Sequence, residues 1–211
     1  RMPKGSQALT HARREEIVNA CALLYETMGF KEITIKDIAA ATSFTRTSIY
    51  NYFQTKEEIF LALLQRQHEA WTADLEAILR EHSALDAAAF AEKFARTLEK
   101  RTCMLKLESM NLYDMEGNSR MENLVAFKKT YGCAIDTVDR CLKTFFPALS
   151  EGEIQEFIYA FFPFLFGLYP YAMPTEKQRE AMDLAQVNYA RYSICELTET
   201  FVKKLLRAFG Q

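Results

Sequence analysis

The stretch that most limits what this chain can become is "TIKDIAAATSFTRTSIYNYFQTKEEI", Thr34 to Ile59. It holds three helix-start signals, at Thr34, Thr45 and Thr55. Each is a threonine whose hydroxyl can accept an otherwise orphaned backbone N–H just before a short amphipathic run. Thr34 precedes "IKDI", with Asp37 at the third helical position and Ile33 placed to staple to Ile38. Thr45 precedes "RTSI", with Phe44 and Ile49 as the staple pair, and Thr55 precedes "KEEI", where Glu58 completes a capping box. Starts so close together leave room for two very short helices. The third meets no stop and keeps helical register through Phe60, Leu64, Gln67, Trp71, Leu75 and Ile78. Upstream, Ile17, Ala20, Cys21, Leu24 and Met28 mark one face of a further helix, and Gly29 is placed to end it in a left-handed cap.

A supporting helix followed by two short helices and a tight turn has the parts of a helix-turn-helix. Ile35, Ile38 and Ala39 face inward from the first short helix, and Ile49 and Phe53 anchor the second to the same core. Helical geometry then turns Thr47 and Asn51 outward, flanked by Thr45, Arg46, Ser48 and Tyr50. That chemistry suits a major groove: Asn bonds an adenine edge in two places, Arg a guanine edge, and threonine methyls touch thymine. Tyr50, Tyr52 and Lys56 are candidates for phosphate contacts, as is the start of the helix after Thr55; Thr34 and Lys36 add to the backbone-facing side.

These residues carry a resemblance. "IVNACALLYETMGF", "TIKDIAAAT" and above all "TSIYNYFQTKEEIF" are similar to the DNA-binding domain of tetracycline-repressor-like (TetR family) regulators, over residues 10–60. Two positions depart from the family pattern: Ser43 stands where a turn glycine is usual, and Thr47 where the recognition helix often has glycine. Ser43 is therefore expected to adopt a turn conformation that glycine takes at less cost. The resemblance implies a DNA-binding domain over residues 1–55 and a helical effector-binding and dimerisation domain over 56–211. It also implies a homodimer reading a palindromic operator in double-stranded DNA, in response to a small-molecule effector.

The rest of the chain reads as helix after helix, at about 86–101, 103–115, 120–146, 150–172, 176–187 and 192–209. Only seven glycines and five prolines in 211 residues argue against short strands and turns, so the fold class is all-α. "FIYAFFPFLFGLYPYAM", Phe157 to Met173, carries no charge. It falls short of the roughly 18 apolar residues expected of a membrane span and is interrupted by Pro163 and Pro170, which points to a buried helix, kinked at Pro163, and no membrane. Phe157, Phe164 and Leu168 on this helix, with Ile194, Leu197, Phe201 and Leu205 on the last one, form the candidate dimer face. Candidates for a ligand cavity are Trp71, Met104, Met110, Tyr113, Phe127, Tyr131 and Phe161, each of which also reads as core filling. Such a lining suits an apolar or aromatic effector.

A net charge of -2 excludes a globally basic DNA-coating protein but not one with its cations on one face. Five scattered cysteines without a CxxC pair read as reduced thiols, and the N-terminal stretch has no apolar leader segment, so a cytoplasmic protein is expected. His11, His68 and His82 share no metal-ligand spacing, and no phosphate loop, nucleophile elbow or HExxH occurs; no cofactor, metal or enzymatic activity is expected. The reading is a ligand-responsive DNA-binding regulator, a repressor. The alternative is a helical carrier or sensor of apolar molecules whose N-terminal helices are only structural.

Overall fold

The structure, a computed structural model, describes residues 4–211, with side chains from Ser6 onward except that of Leu112. It is 75% helical, with no strand among the described residues. The elements are α1 (Lys4–Tyr25), α2 (Ile35–Ala40), α3 (Arg46–Ile49), α4 (Lys56–Glu81), α5 (Ala87–Glu99), α6 (Thr102–Glu108), a π-helical turn (Asn111–Met115), a 3-10 turn (Glu116–Asn118), α7 (Met121–Phe145), α8 (Glu151–Ala172), α9 (Glu176–Leu184) and α10 (Ile194–Ala208). Local capping explains many of the starts. The side chains of Thr34, Thr45, Asp86, Ser150, Thr175 and Ser193 each accept a backbone N–H of the first turn.

Two compact units emerge, and they do not divide at residue 55. One runs up to Arg66 and includes Asn111–Lys128; the other is Gln67–Met110 with Lys129–Gln211. In the first, Ile17, Cys21, Ile33, Ile38, Ile49, Phe53, Ile59 and Phe60 are buried. Phe60 meets Tyr25 and Phe30 edge-on, at 5.2 and 4.8 Å between ring centres. Gly29 does not end α1 as expected. Positive φ among the described residues occurs only at Gln186 and Gly210, and the Gly29 N–H instead donates to the Glu32 carboxylate at 2.6 Å.

The second unit is built on aromatic packing. Trp71 lies against Phe94, Phe161 and Phe162, and its indole N–H donates to the Thr97 hydroxyl at 2.9 Å, so its polar atom is satisfied inside the core. The uncharged stretch is part of this core. Phe157, Ile158, Phe161, Phe162, Leu165 and Leu168 of α8 are buried, and the helix is assigned without a break through Pro163 and Pro170. No single helix among the described residues is long and apolar enough to cross a membrane; α8 passes such a test only jointly with α9, across a bend of 76°.

Three of the expected dimer-face residues, Phe157, Leu168 and Ile194, are corrected by this packing: they are buried within the single chain and offer no surface to a second copy. On α10 the buried stripe is Ile194, Thr198, Val202 and Leu206, one position round from the expected Leu197, Phe201 and Leu205, which stay half-exposed. Phe164 and Phe201 stack within the protomer, 4.4 Å between ring centres. Among the expected ligand residues, Tyr113 is a second correction. It is 85% exposed on the π-helical turn, whereas Trp71, Met104, Phe127 and Phe161 are buried and Met110 and Tyr131 are half-buried.

Candidate nucleic-acid interface

The helix-turn-helix is held from behind by side chains with no solvent exposure. Thr34 and Asp37 form a complete capping box: the Asp37 N–H donates to Thr34 Oγ1 (3.3 Å) while the Thr34 N–H and hydroxyl donate to Asp37 Oδ2 (2.9 and 2.6 Å). These bonds hold the Asp37 carboxyl below its ordinary pKa. Ile33 and Ile38, the expected staple, are both fully buried. α3 opens on Thr45, whose hydroxyl accepts the Ser48 N–H (3.2 Å) and lies 2.9 Å from the Ser48 hydroxyl. α3 itself is four residues long, but N–H donations from Tyr52 and Phe53 to the Ile49 carbonyl (2.8 and 3.0 Å) carry the coil on to Phe53.

Ile49 and Phe53 are 0% exposed, while Thr45, Arg46, Thr47, Tyr50 and Asn51 are exposed. Thr47 and Asn51 make no side-chain hydrogen bond with any described residue, so their donors and acceptors face outward unclaimed. Arg46 Nη2 lies 3.5 Å from the Tyr50 hydroxyl, one helical turn on, and Lys36 is exposed on α2. This is the polar face expected from the sequence.

Three expected contacts turn out differently. Lys56 donates to the carbonyls of Phe30 (2.7 Å) and Ile33 (3.0 Å), with its ammonium 4.5 Å from the centre of the Phe30 ring. It ties the start of α4 to the segment before α2, and that inward engagement corrects its assignment as a phosphate contact. Tyr52 is half-buried and turned toward α1: its hydroxyl accepts from Arg13 (3.1 Å) and its carbonyl from Arg14 (2.8 Å). The start of α4 is also occupied, because the Gln54 N–H donates to Glu58 (2.8 Å) and the Glu58 N–H to Thr55 (3.2 Å). The capping box expected at Thr55 is therefore only half made.

Glu58 is 1% exposed, yet it is an ion. Arg120 donates to it through Nε (2.7 Å), Nη2 (3.0 Å) and its backbone N–H (3.1 Å). Burial would push the Glu58 carboxyl up, but the bonds from Arg120 and from Gln54 overrule it and bring the pKa down to about 2. Beside this clamp, Arg14, Glu58, Leu61, Ala62, Gln65, Asn123 and Ala126 line a cavity of about 150 Å³. Arg14 also reaches the reading segment, its guanidinium 4.2 Å from the centre of the Phe53 ring. Arg13, Arg14 and Arg120 were not picked out from the sequence. Their partners lie 38 to 62 residues away along the chain, beyond any local pattern.

The turn between α2 and α3 needs no glycine. Ser43 avoids positive φ, and its N–H donates to the Glu16 carboxylate of α1 at 2.7 Å, which also lowers the Glu16 pKa. Removing this acceptor with Glu16→Ala is expected to destabilise the turn slightly, read as a lowered urea midpoint at unchanged slope.

A short helix pinned through buried Ile49 and Phe53, with an outward face of Thr, Arg, Tyr and Asn, is a helix-turn-helix with the chemistry of a major-groove reader. The comparisons carry this further. The family model for bacterial regulatory proteins of the tetR family matches residues 17–63, and that for the tetracyclin repressor-like C-terminal domain matches 65–207. The chain belongs to the TetR family.

Among curated relatives, the HTH-type transcriptional regulator RutR of Escherichia coli is 27% identical over 84 residues, 40% of this chain and 39% of RutR. The HTH-type transcriptional repressor Rv1474c of Mycobacterium tuberculosis is 28% identical over 72 residues, 34% of this chain and 38% of that protein. The matches thus span well under half of either relative. A TetR-family regulator from Mesorhizobium loti shares the fold at a TM-score of 0.60 and 17% identity, over 95% of this chain and 96% of that one. FadR of Bacillus subtilis, solved with stearoyl-CoA, does so at 0.57 and 18%, over 91% and 96%.

Proposed function

We propose that this protein is a cytoplasmic homodimeric repressor, released from a palindromic operator when a small, largely apolar effector enters its second unit. The observation that carries the reading is the face made by Arg46, Thr47, Tyr50 and Asn51, solvent-exposed on a segment whose anchors Ile49 and Phe53 are fully buried. A second copy supplies the matching half. Leu197, Phe201 and Leu205 of α10 and Phe164 of α8 remain half-exposed, and Tyr159 and Phe166 of α8 are exposed, an apolar set suited to a twofold contact. The FadR of Bacillus subtilis, which binds stearoyl-CoA in its solved structure, supports an effector with a large apolar portion for this architecture.

α4 runs from Lys56 to Glu81, so one helix carries both Glu58, beside the reading segment, and Trp71, in the aromatic core. Effector binding that tilts this helix moves the two reading faces out of register. A coupling of about 1–3 kcal/mol gives about a 5- to 150-fold loss of operator affinity.

Fluorescence anisotropy with DNA from upstream of the protein's own gene tests the reading. Affinity should fall steeply with salt, with a log–log slope that counts the phosphates neutralised. Asn51→Ala should cost about 1–3 kcal/mol and relax preference at one base pair. Equal weakening on every sequence would show that Asn51 reads no base. Ligand binding without any DNA binding would return the protein to the carrier class.

A further inference from the structure

One buried polar cluster in the second unit takes no part in the DNA-reading face. His68 of α4 and Glu108 of α6 are 0% and 2% exposed, and the imidazole Nε2 is hydrogen-bonded to Glu108 Oε1. The other carboxylate oxygen, Oε2, is buried and accepts no hydrogen bond from any described residue. One turn on from His68 along α4, the Thr72 hydroxyl is likewise buried and has no partner among the described residues. Aromatic rings surround the pair. Trp71 and Tyr131 stand edge-on to the imidazole at 6.2 and 5.6 Å, and Phe162 lies 6.1 Å from Trp71 and 5.4 Å from Tyr131.

A buried carboxyl oxygen with bare lone pairs among aromatic rings costs stability that a leucine at the same position would not. Such groups persist where a ligand completes them. The chain leaves α6 at Glu108 and then passes into the π-helical turn at Asn111–Met115, a conformation frequent at functional sites.

What completes this cluster must donate. A carboxylate or phosphate would meet Glu108 as a like charge. A neutral hydroxyl supplies one hydrogen bond. A protonated amine supplies the bond and the opposite charge, and the Trp71 and Tyr131 rings favour a cation beside them. We infer that Glu108 receives the protonated amine of an effector whose remainder is apolar or aromatic, with Trp71, Tyr131 and Phe162 flanking its body and the Thr72 hydroxyl accepting a further N–H. The inference rests on the effector-binding reading above and assigns the ligand's head group.

Matched probes test it: 4-phenylbutylamine, 4-phenylbutanol and 4-phenylbutanoate, with shorter and longer members of each series, titrated into the full-length protein by calorimetry. The amines should bind about tenfold or more tightly than the alcohols, and the carboxylates more weakly still. Glu108→Gln, of nearly the same shape, should weaken the amines about tenfold and leave the alcohols unchanged. Amine and alcohol of equal affinity, a carboxylate that binds as well as the amine, an amine indifferent to Glu108→Gln, or no binding by any amine each overturns the inference. The wild-type series decides even if the variant does not fold. Operator binding by the ligand-free protein, read on the same samples, separates the two claims. If it is retained without an amine preference, only the head-group assignment falls; if it is absent, the regulatory reading falls, and the amine series still decides the site.

Discussion

Phe53→Ala is expected to lower the stability of the protein by about 3–5 kcal/mol, the range for removing a buried phenylalanine ring and leaving a cavity. The ring has no exposure, carries the Arg14 guanidinium on its face, and closes the coil that begins at Arg46. Its loss frees the reading segment before it unfolds the protein. DNA affinity should therefore collapse at temperatures where circular dichroism still reports native helix content. Phe53→Leu, which keeps most of the volume, should recover the larger part of both. If Phe53→Ala lowers the urea midpoint yet binds DNA like wild type, this anchor is not what presents the reading face.

The second large effect sits at Glu58. The folded carboxyl titrates at about 2 against an ordinary value of 4.5, so its stabilisation is complete above about pH 4.5 and fades as pH falls toward 2. Over that window the shift is worth at most on the order of 3 kcal/mol. Glu58→Gln removes the charge while keeping the shape. The stability gap between wild type and variant should be widest near pH 7, shrink below pH 4.5, and close near pH 2. Urea titrations across this range measure it. A gap that stays constant with pH would mean that the Arg120 clamp contributes shape and not charge.

The same clamp shows where sequence reasoning stopped. Caps are local chemistry, legible because a threonine hydroxyl and the N–H it accepts lie three residues apart, as at Thr34 and Thr45. The anchors Ile38, Ile49 and Phe53 were legible for the same reason: period and staple positions lie within one turn of each other. Lys56, Tyr52 and Glu58 were misplaced or only half understood because their partners come from distant segments, Phe30, Arg14 and Arg120. Tyr113 falls in the stretch 103–115 read as one helix, but the π-helical turn at Asn111 changes the number of residues per turn and rotates every later side chain. On α10, packing against α5 and α8 buries Ile194, Thr198, Val202 and Leu206 and leaves Leu197, Phe201 and Leu205 half-exposed, so of the α10 residues expected at the dimer face only Ile194 is lost to the core.

The proposed repressor offers Thr45 to Asn51 to DNA twice, once from each of two copies. A nuclease protection experiment on the DNA upstream of the gene tests this most directly. The prediction is two protected half-sites of mirrored sequence, centred one helical turn or a whole number of turns apart, with one turn spanning about 34–36 Å. Even coating of the DNA without preferred positions, or a single unpaired half-site, would contradict it.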